Sequence, residues 1–203
     1  MGYAKSLARP GGNVTGFALL ELPTLGKSIE ILKQIAPSVA RVALIYNPDN
    51  PASAIYRQIA EEASGSFGIK PIAAPIHKLD DIDRAISSLA DGRSSGVYFL
   101  SDVTTFGLRK EIIELVARQS VPAMYSDASF VKIGGLVFYG VDRTELFWNC
   151  ADYVDRILRG EQAEDLPFQE STKYELSINL KTAKALGLTI PQTLLATANE
   201  VIE

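Results

Sequence analysis

In the stretch Val42-Ala43-Leu44-Ile45-Tyr46-Asn47-Pro48-Asp49, an apolar run leads directly into a short polar turn that carries an acid. The run is rich in β-branched and aromatic residues and lacks polar alternation, which is typical of a strand buried on both faces of a parallel sheet. The same arrangement recurs at Val97–Leu100 before Ser101-Asp102, at Val121–Tyr125 before Ser126-Asp127, and at Leu136–Tyr139 before Gly140-Val141-Asp142. Helical patterns separate most of these runs, so the sequence predicts an α/β fold with a doubly wound parallel sheet.

The polar turns are the candidate functional positions. In open α/β sheets, the ligand crevice lies at the carboxyl ends of the strands, so turns that follow neighbouring strands should converge on one rim. The candidate ligand-binding residues on this rim are Tyr46, Asn47, Ser101, Asp102, Thr104, Ser126, Asp127, Tyr139 and Asp142.

Each of these residues also has a purely structural interpretation. Ser, Asp or Asn between a strand and a helix is the expected N-cap, which stabilises the helix by about 1 kcal/mol without any ligand. Tyr46 and Tyr139 stand at the last positions of their runs and are equally consistent with core residues that keep the hydroxyl in water. The sequence leaves both interpretations open.

Composition excludes several classes of function. The 203 residues carry a formal net charge of −4 with both signs interspersed, which gives no basic surface for nucleic acid. The only cysteine is Cys150 and the only histidine is His77, so neither a cysteine zinc site nor triad chemistry is predicted. We expect no metal and no cofactor.

No apolar stretch approaches the length of a membrane span, and the first residues have no apolar signal-peptide core. The sequence therefore predicts a soluble chain without a signal peptide.

After Asp142 the alternation of strands and helices stops. One strand pattern, Tyr174–Ile178, stands among helical patterns at Glu145–Leu158, Leu180–Leu186 and Pro191–Val201. A single strand cannot form a sheet of its own, so we expect one whole domain and fragments of a second. On this basis we predict that the strand Tyr174–Ile178 lies outside the main sheet.

Four blocks of the sequence carry a family resemblance. They are Ser6–Phe17, Asn47–Pro51, Tyr139–Asp142 and Ile178–Pro191. Together they resemble the bacterial ABC-transporter substrate-binding proteins of the tryptophan/tyrosine type, which have the type I periplasmic-binding fold. The resemblance implies a non-catalytic solute-binding protein, periplasmic or lipid-anchored outside the cytoplasm, with an ABC permease as its partner.

Members of this family begin with a signal sequence and a first half-lobe that have no counterpart in this chain. The resemblance therefore implies a C-terminal portion with three parts. Residues 1–15 would be a remnant of the first lobe and a hinge strand, and residues 16–138 the complete second lobe. Residues 139–203 would be the hinge and the returning segment of the first lobe.

In this family, a small ligand such as an aromatic amino acid or related carboxylate lies between two lobes that close by a hinge. The resemblance implies that Asn47, Ser101, Thr104 and Ser126 offer partners for a carboxylate. It also implies that Tyr46, Tyr125 or Tyr139 lies against an apolar or aromatic body. It favours Asp102 over Asp127 and Asp142 as the partner of an amino group. Val103 stands where the family commonly has Asn, a departure that bears on amino-acid specificity.

Two other functions remain open from the sequence. One is the ligand-sensing domain of a transcription regulator, and the other is an α/β enzyme that uses Asp102 or Asp127 as phosphoacceptor or metal ligand. An incomplete lobe would also leave apolar side chains uncovered, including Phe147, Tyr153, Ile157 and Leu186. We therefore expect self-association, with a homodimer as its simplest form.

Overall fold

The computed structural model describes residues 4–18, 22–89, 94–171 and 173–203. The chain separates into two compact units. The small unit consists of Met1–Glu21 and Val141–Tyr174, and the sheet unit consists of Leu22–Gly140 and Glu175–Glu203.

Strands and helices alternate along most of the chain. The strands are β1 (Phe17–Ala18), β2 (Arg41–Tyr46), β3 (Lys70–Pro75), β4 (Ser95–Phe99), β5 (Ala123–Tyr125), β6 (Val137–Val141), β7 (Gln169–Glu170), β8 (Tyr174–Asn179) and β9 (Glu200–Ile202). The helices are α1 (Leu22–Ile35), α2 (Ser53–Ser66), α3 (Leu79–Ser87), α4 (Val103–Gly107), α5 (Arg109–Gln119), α6 (Ala128–Lys132), α7 (Arg143–Leu158), α8 (Leu180–Ala185) and α9 (Gln192–Thr197).

The main sheet has the strand order β3-β2-β4-β5-β6-β8-β9. From β3 to β6 each neighbouring pair is parallel, with Ile45 opposite Phe99 and Met124 opposite Val137. The segment that contains Pro71 and Pro75 forms β3 at the edge of the sheet, where a missing N–H is tolerated. The predicted α/β fold with a parallel, helix-flanked sheet is confirmed.

Consecutive residues of β2 pack into different hydrophobic clusters. Val42 and Leu44 belong to a cluster with Ile29 and Leu32 of α1. Ala43 and Ile45 belong to a second cluster, which includes residues of α3 and α5. Because successive side chains of a strand point to opposite faces, the two clusters cover the two faces of the sheet, and this explains the uninterrupted apolar run.

Three stacked aromatic rings lie in the second cluster. The ring centroids of Phe99 and Tyr125 are 5.3 Å apart, and those of Tyr125 and Phe130 are 4.9 Å apart. All three side chains are fully buried. Burial raises the pKa of the Tyr125 phenol, so the ring stays neutral across the physiological range.

The prediction that the strand Tyr174–Ile178 lies outside the main sheet is wrong. β8 lies within the main sheet between β6 and β9. Its last residue, Asn179, donates its backbone N–H to the carbonyl of Leu136, just before β6, at 2.9 Å, so β8 runs antiparallel to β6. Burial of Leu176 and Ile178 against the first cluster stabilises this position. The strand pattern was correctly identified, but a pattern does not identify its pairing partner.

The secondary structure at the C-terminal end of the chain also differs from the sequence-based prediction. The predicted helix Pro191–Val201 ends at Thr197, and β9 follows, parallel to β8. The predicted helix Leu180–Leu186 does not leave an uncovered face, because Ala183 is buried and Leu186 packs against the first cluster. Residues 175–203 therefore complete the sheet unit.

The small unit contains a two-stranded parallel pair of β1 and β7, with Phe17 opposite Gln169. The expectation that the sheet includes residues from Gly16 onward is therefore wrong, since Phe17 and Ala18 pair outside it. The assignment of the segments to lobes of a longer protein stays a prediction.

Helix α7 of the small unit has one buried and one exposed apolar face. Tyr153, which we expected to be uncovered, is buried against the ring of Phe17 and donates its hydroxyl to the carbonyl of Pro167 at 2.7 Å. Phe147, Trp148 and Leu158 are 69%, 74% and 81% exposed. The expectation of uncovered apolar side chains on this helix is thus met at Phe147 and Ile157 and wrong at Tyr153. In the described part of the chain, no helix has the length and apolar character needed to cross a membrane.

Candidate ligand-binding site

The carboxyl ends of β2, β4 and β5 lie side by side at one edge of the sheet unit, because these strands are parallel neighbours. The polar turns that follow them therefore form a common rim. It contains Asn47 after β2, the segment Ser101–Thr104 after β4, and Ser126-Asp127 after β5.

Two asparagine side chains of the β2 turn reach across to the β4 turn. Asn47 donates its Nδ2 to the hydroxyl of Thr104 at 3.1 Å, and Asn50 donates its Nδ2 to Oδ2 of Asp102 at 3.0 Å. The other end of each amide accepts a backbone N–H in its own turn, that of Asp49 at 2.9 Å for Asn47 and that of Ala52 at 3.0 Å for Asn50. Side-chain hydrogen bonds therefore connect the β2 turn to the β4 turn without any contribution from a ligand.

Asp102 caps helix α4. Its Oδ1 accepts the backbone N–H of Thr104 at 2.7 Å, and its carbonyl accepts the hydroxyl of Thr105 at 2.9 Å. Asp102 as a whole residue is 8% exposed. The capping role that the sequence left open is thus present. Each carboxylate oxygen has a further lone pair, so the group keeps the capacity to accept a hydrogen bond from a ligand.

The β4 turn is followed by a helix break that the sequence did not indicate. The segment from Val103 to Gln119 forms two helices, α4 and α5, separated at Leu108. Val103 begins α4 and is 85% exposed beside the buried acid. The position at which the sequence departs from the family pattern therefore lies at the surface of the rim.

The β5 turn repeats the capping arrangement. Asp127 is buried, and its Oδ1 accepts the backbone N–H of Ser129 at the start of α6 at 2.9 Å. Ser126 stands just before it and is partly exposed. Both residues are placed on the rim, as the sequence predicted, and their role in ligand binding stays a prediction.

The two candidate tyrosines pack against the sheet. Tyr46 and Tyr139 are partly buried against the first hydrophobic cluster. The guanidinium of Arg57 lies 5.8 Å from the centroid of the Tyr46 ring, and the hydroxyl of Ser28 donates to the carbonyl of Tyr139 at 3.3 Å. The partial burial of both rings is consistent with core residues, and their contact with a ligand stays a prediction.

Asp142 belongs to the small unit. Its Oδ1 accepts the backbone N–H groups of Thr144 and Glu145 at 3.0 and 3.1 Å, and its Oδ2 lies 2.9 Å from Nζ of Lys173. The hydrogen bond with Lys173, followed by those from the helix N-terminus, holds the pKa of Asp142 below its ordinary value of 3.8. The side chain is thus engaged in capping α7 and in an ion pair.

We expect Asp142→Asn to lower the free energy of unfolding by about 1 kcal/mol at pH 7, because Asn can still cap the helix but loses the charge beside Lys173 and the helix N-terminus. Since the folded-state pKa lies below the unfolded-state value, this contribution is present at neutral pH and lost as the pH falls through the folded pKa. Urea unfolding at pH 7 and near pH 3 measures it, with Asp80→Asn as the exposed control. A difference between wild type and variant that is the same at both pH values would contradict the account.

Asn50 is the rim residue that sequence reasoning did not identify. Its amide contacts the acid of the neighbouring turn, although its sequence position indicates only a turn before α2. Ser53 is a second such residue, since its hydroxyl donates to the carbonyl of Asn47 at 2.6 Å. The only available signal was the repetition of Asn at residues 47 and 50.

The described residues bring no three His, Cys, Asp or Glu side chains together in an arrangement that could hold a metal ion. The chemistry of the rim is that of amide, hydroxyl and carboxylate groups. Such a set can bind a small polar molecule through directed hydrogen bonds.

Comparison with known proteins gives a consistent result. A family model described as ABC transporter substrate binding protein matches residues 1–202. The tyrosine-binding protein of Clostridioides difficile strain R20291 is 25% identical over 187 residues, which are 92% of this chain and 53% of that protein. The chain thus spans about half the length of this curated relative.

Solved structures with the same fold include a conserved domain protein from Vibrio cholerae, with a TM-score of 0.85 and 29% identity over 98% of this chain and 66% of that one. The ABC domain from Streptococcus pneumonia in complex with L-Trp has a TM-score of 0.84 and 22% identity, covering 98% of this chain and 68% of that one. A ligand-free, open substrate-binding protein from Clostridium difficile has a TM-score of 0.72 and 24% identity, covering 99% and 66%.

Proposed function

Since the chain belongs to the ABC transporter substrate-binding protein family, we propose that it binds a small organic ligand at the rim of its sheet unit and presents it to an ABC permease, without catalysing a reaction. The observation that carries this proposal is the cross-linked pair of turns after β2 and β4, in which an acid and a hydroxyl are fixed side by side. A permease partner and a location outside the cytoplasm, periplasmic or lipid-anchored, are parts of the same proposal.

The proposed ligand is an aromatic amino acid or a related carboxylate. One relative is named a tyrosine-binding protein, and one solved neighbour holds L-Trp. An α-amino acid presents an ammonium group and a carboxylate, which match a hydrogen-bond acceptor such as Asp102 and donors such as Thr104 and Ser101.

We propose that the ligand is held between two lobes that close by a hinge, and that residues 16–138 form the complete second lobe. This chain covers 68% of the L-Trp-bound neighbour, so part of the contacts of a two-lobe site would come from residues it does not include. We therefore expect weak, millimolar binding by this chain alone, because a ligand held by fewer groups stays partly hydrated.

The proposal can be tested by titrating ¹⁵N-labelled protein with L-tryptophan and following amide shifts by nuclear magnetic resonance, which detects millimolar binding. We expect saturable shifts at Asn47, Ser101 and Ser126. Tryptamine lacks the carboxylate and indole-3-propionate lacks the ammonium group, so each should shift the same amides less. Shifts confined to residues far from the rim, or equal shifts with glucose, would contradict the proposal.

We also propose that the exposed apolar face of α7 supports a homodimer of this chain. Phe147, Val154 and Leu158 are exposed at spacings of seven and four residues, which places them on one helix face suited to contact with a second helix. We expect a concentration-dependent dimer by sedimentation velocity, and a shift towards monomer in Phe147→Ser/Leu158→Ser. Ile133→Ser, an exposed apolar change in the sheet unit, is the control. A wild-type chain that stays monomeric at high concentration would contradict this expectation.

A further inference from the structure

The side chain of Asn50 is oriented unambiguously by its neighbours. Its Oδ1 accepts the N–H of Ala52 at 3.0 Å, and its Nδ2 donates to Oδ2 of Asp102 at 3.0 Å and faces the carbonyl of Ser101 at 3.5 Å. The reverse orientation would place the amide oxygen against a carboxylate and a carbonyl, with no proton between them. Asn50 therefore acts as a donor to the β4 turn.

The hydrogen bond from Asn50 holds Oδ2 of Asp102, and a second hydrogen bond holds Oδ1 of the same carboxylate. Oδ1 of Asp102 accepts the N–H of Thr104 at 2.7 Å, so contacts at both oxygens determine the plane of the carboxylate. Asp102 is 8% exposed, and within the described ranges no cation is recorded as its ion-pair partner. The donors to this carboxylate, the amide of Asn50 and the backbone N–H of Thr104, are neutral, so the carboxylate can accept a further hydrogen bond from a cationic group.

The hydroxyl of Thr104, next to the acceptor Asp102, is arranged as a hydrogen-bond donor. Thr104 accepts the Nδ2 of Asn47 at 3.1 Å, and no described residue is recorded as accepting a bond from its hydroxyl hydrogen. The two asparagines of the β2 turn thus hold an acceptor, Asp102, and a donor, Thr104, next to each other on α4.

We propose that Asn50 is a positioning residue of the ligand site, which orients the Asp102 carboxylate to receive the ammonium group of an α-amino acid. This proposal rests on the proposed function. Asn50 acts through Asp102 and not by contact with the ligand, since its amide groups are occupied by Ala52, Ser101 and Asp102. Preset orientation avoids the cost of ordering the carboxylate when the ligand binds.

The test is a double-mutant cycle on L-tryptophan affinity, measured on the full chain by the same amide titration. In Asn50→Ser, the hydroxyl oxygen can still accept the backbone N–H of Ala52, but the side chain is too short to reach Asp102. We expect it to raise the Kd about tenfold, the size associated with losing a hydrogen bond to a charged group. Asn149→Ser, at an exposed position of α7, is the matched control and should leave the Kd unchanged.

In the Asp102→Asn background, Asn50→Ser should raise the Kd no further, because the group it positions has lost its charge. An additive effect, or an unchanged Kd in Asn50→Ser alone, would overturn the positioning role while leaving the proposed function intact. Wild-type protein without any rim shift would overturn the proposed function, and the positioning role with it.

The double variant Asn50→Asp/Asp102→Asn separates positioning from folding. It can re-form the hydrogen bond between the turns with donor and acceptor exchanged, and both backbone N–H groups keep their acceptors. We expect a thermal midpoint close to that of wild type and a Kd raised at least tenfold, because the charge has moved to the other turn. Recovery of wild-type affinity together with wild-type stability would show that the network is only structural, and would overturn the proposal.

Discussion

Replacing Phe99 by Ala is expected to lower the free energy of unfolding by about 3–5 kcal/mol. The side chain is fully buried in the centre of the sheet, and its ring stacks on that of Tyr125 with centroids 5.3 Å apart. Tyr125 in turn stacks on Phe130, so the truncation removes one end of a three-ring stack and leaves a cavity between α3, α5 and the sheet. Urea unfolding followed by far-ultraviolet circular dichroism measures the loss.

Phe67→Ala is the matched control for this change. Phe67 follows α2 and is 37% exposed, so the same truncation removes far less buried surface. We expect a loss of about 1 kcal/mol or less for this variant. Equal losses in the two variants would show that the stacked rings contribute no more than an exposed ring to the stability of the sheet unit.

Asp102→Ala is expected to raise the Kd for L-tryptophan at least about thirtyfold. Removing one partner of a desolvated charged pair typically costs about 2–5 kcal/mol, which corresponds to a rise in Kd of about thirtyfold or more. The same titration of rim amides measures the loss, and the dispersion of the amide spectrum shows whether the variant is folded.

Asp80→Ala provides the control for this second effect. Asp80 lies in the first turn of α3, is exposed, and its carboxylate is 3.5 Å from Nζ of Lys78. Loss of this surface charge should leave the titration unchanged. A folded Asp102→Ala protein that binds L-tryptophan as well as Asp80→Ala would remove Asp102 from the ligand site.

The part of the fold that could be predicted from sequence is the part where one residue pattern has one structural solution. The run Val42–Tyr46 is apolar at every position, and only burial on both faces of a sheet accommodates such a strand. The pairing of β8 could not be predicted, because Tyr174–Asn179 is compatible with any partner that covers Leu176 and Ile178. Contacts between residues that are distant along the chain determine where β8 lies, and a local sequence pattern contains no information about such contacts.

The candidate site could likewise be predicted from the sequence only in part. That Asp102 and Thr104 follow a strand end could be read from the sequence, and so could the capping role of an acid at that position. That Asn50 reaches the acid depends on β2 and β4 being neighbours in the sheet. Residues 50 and 102 are distant along the chain, so no spacing rule connects them.

The pairing of β1 with β7 joins residues 17 and 169, nearly opposite ends of the chain. Closing such a large loop carries an entropic cost that a two-residue strand pair repays only once the intervening chain has become compact. The sheet unit should therefore form first and the small unit last, and the order should reverse on opening. In native-state hydrogen exchange, the amides of β1 and β7 would then lose protection through local openings that leave β2 and β4 closed.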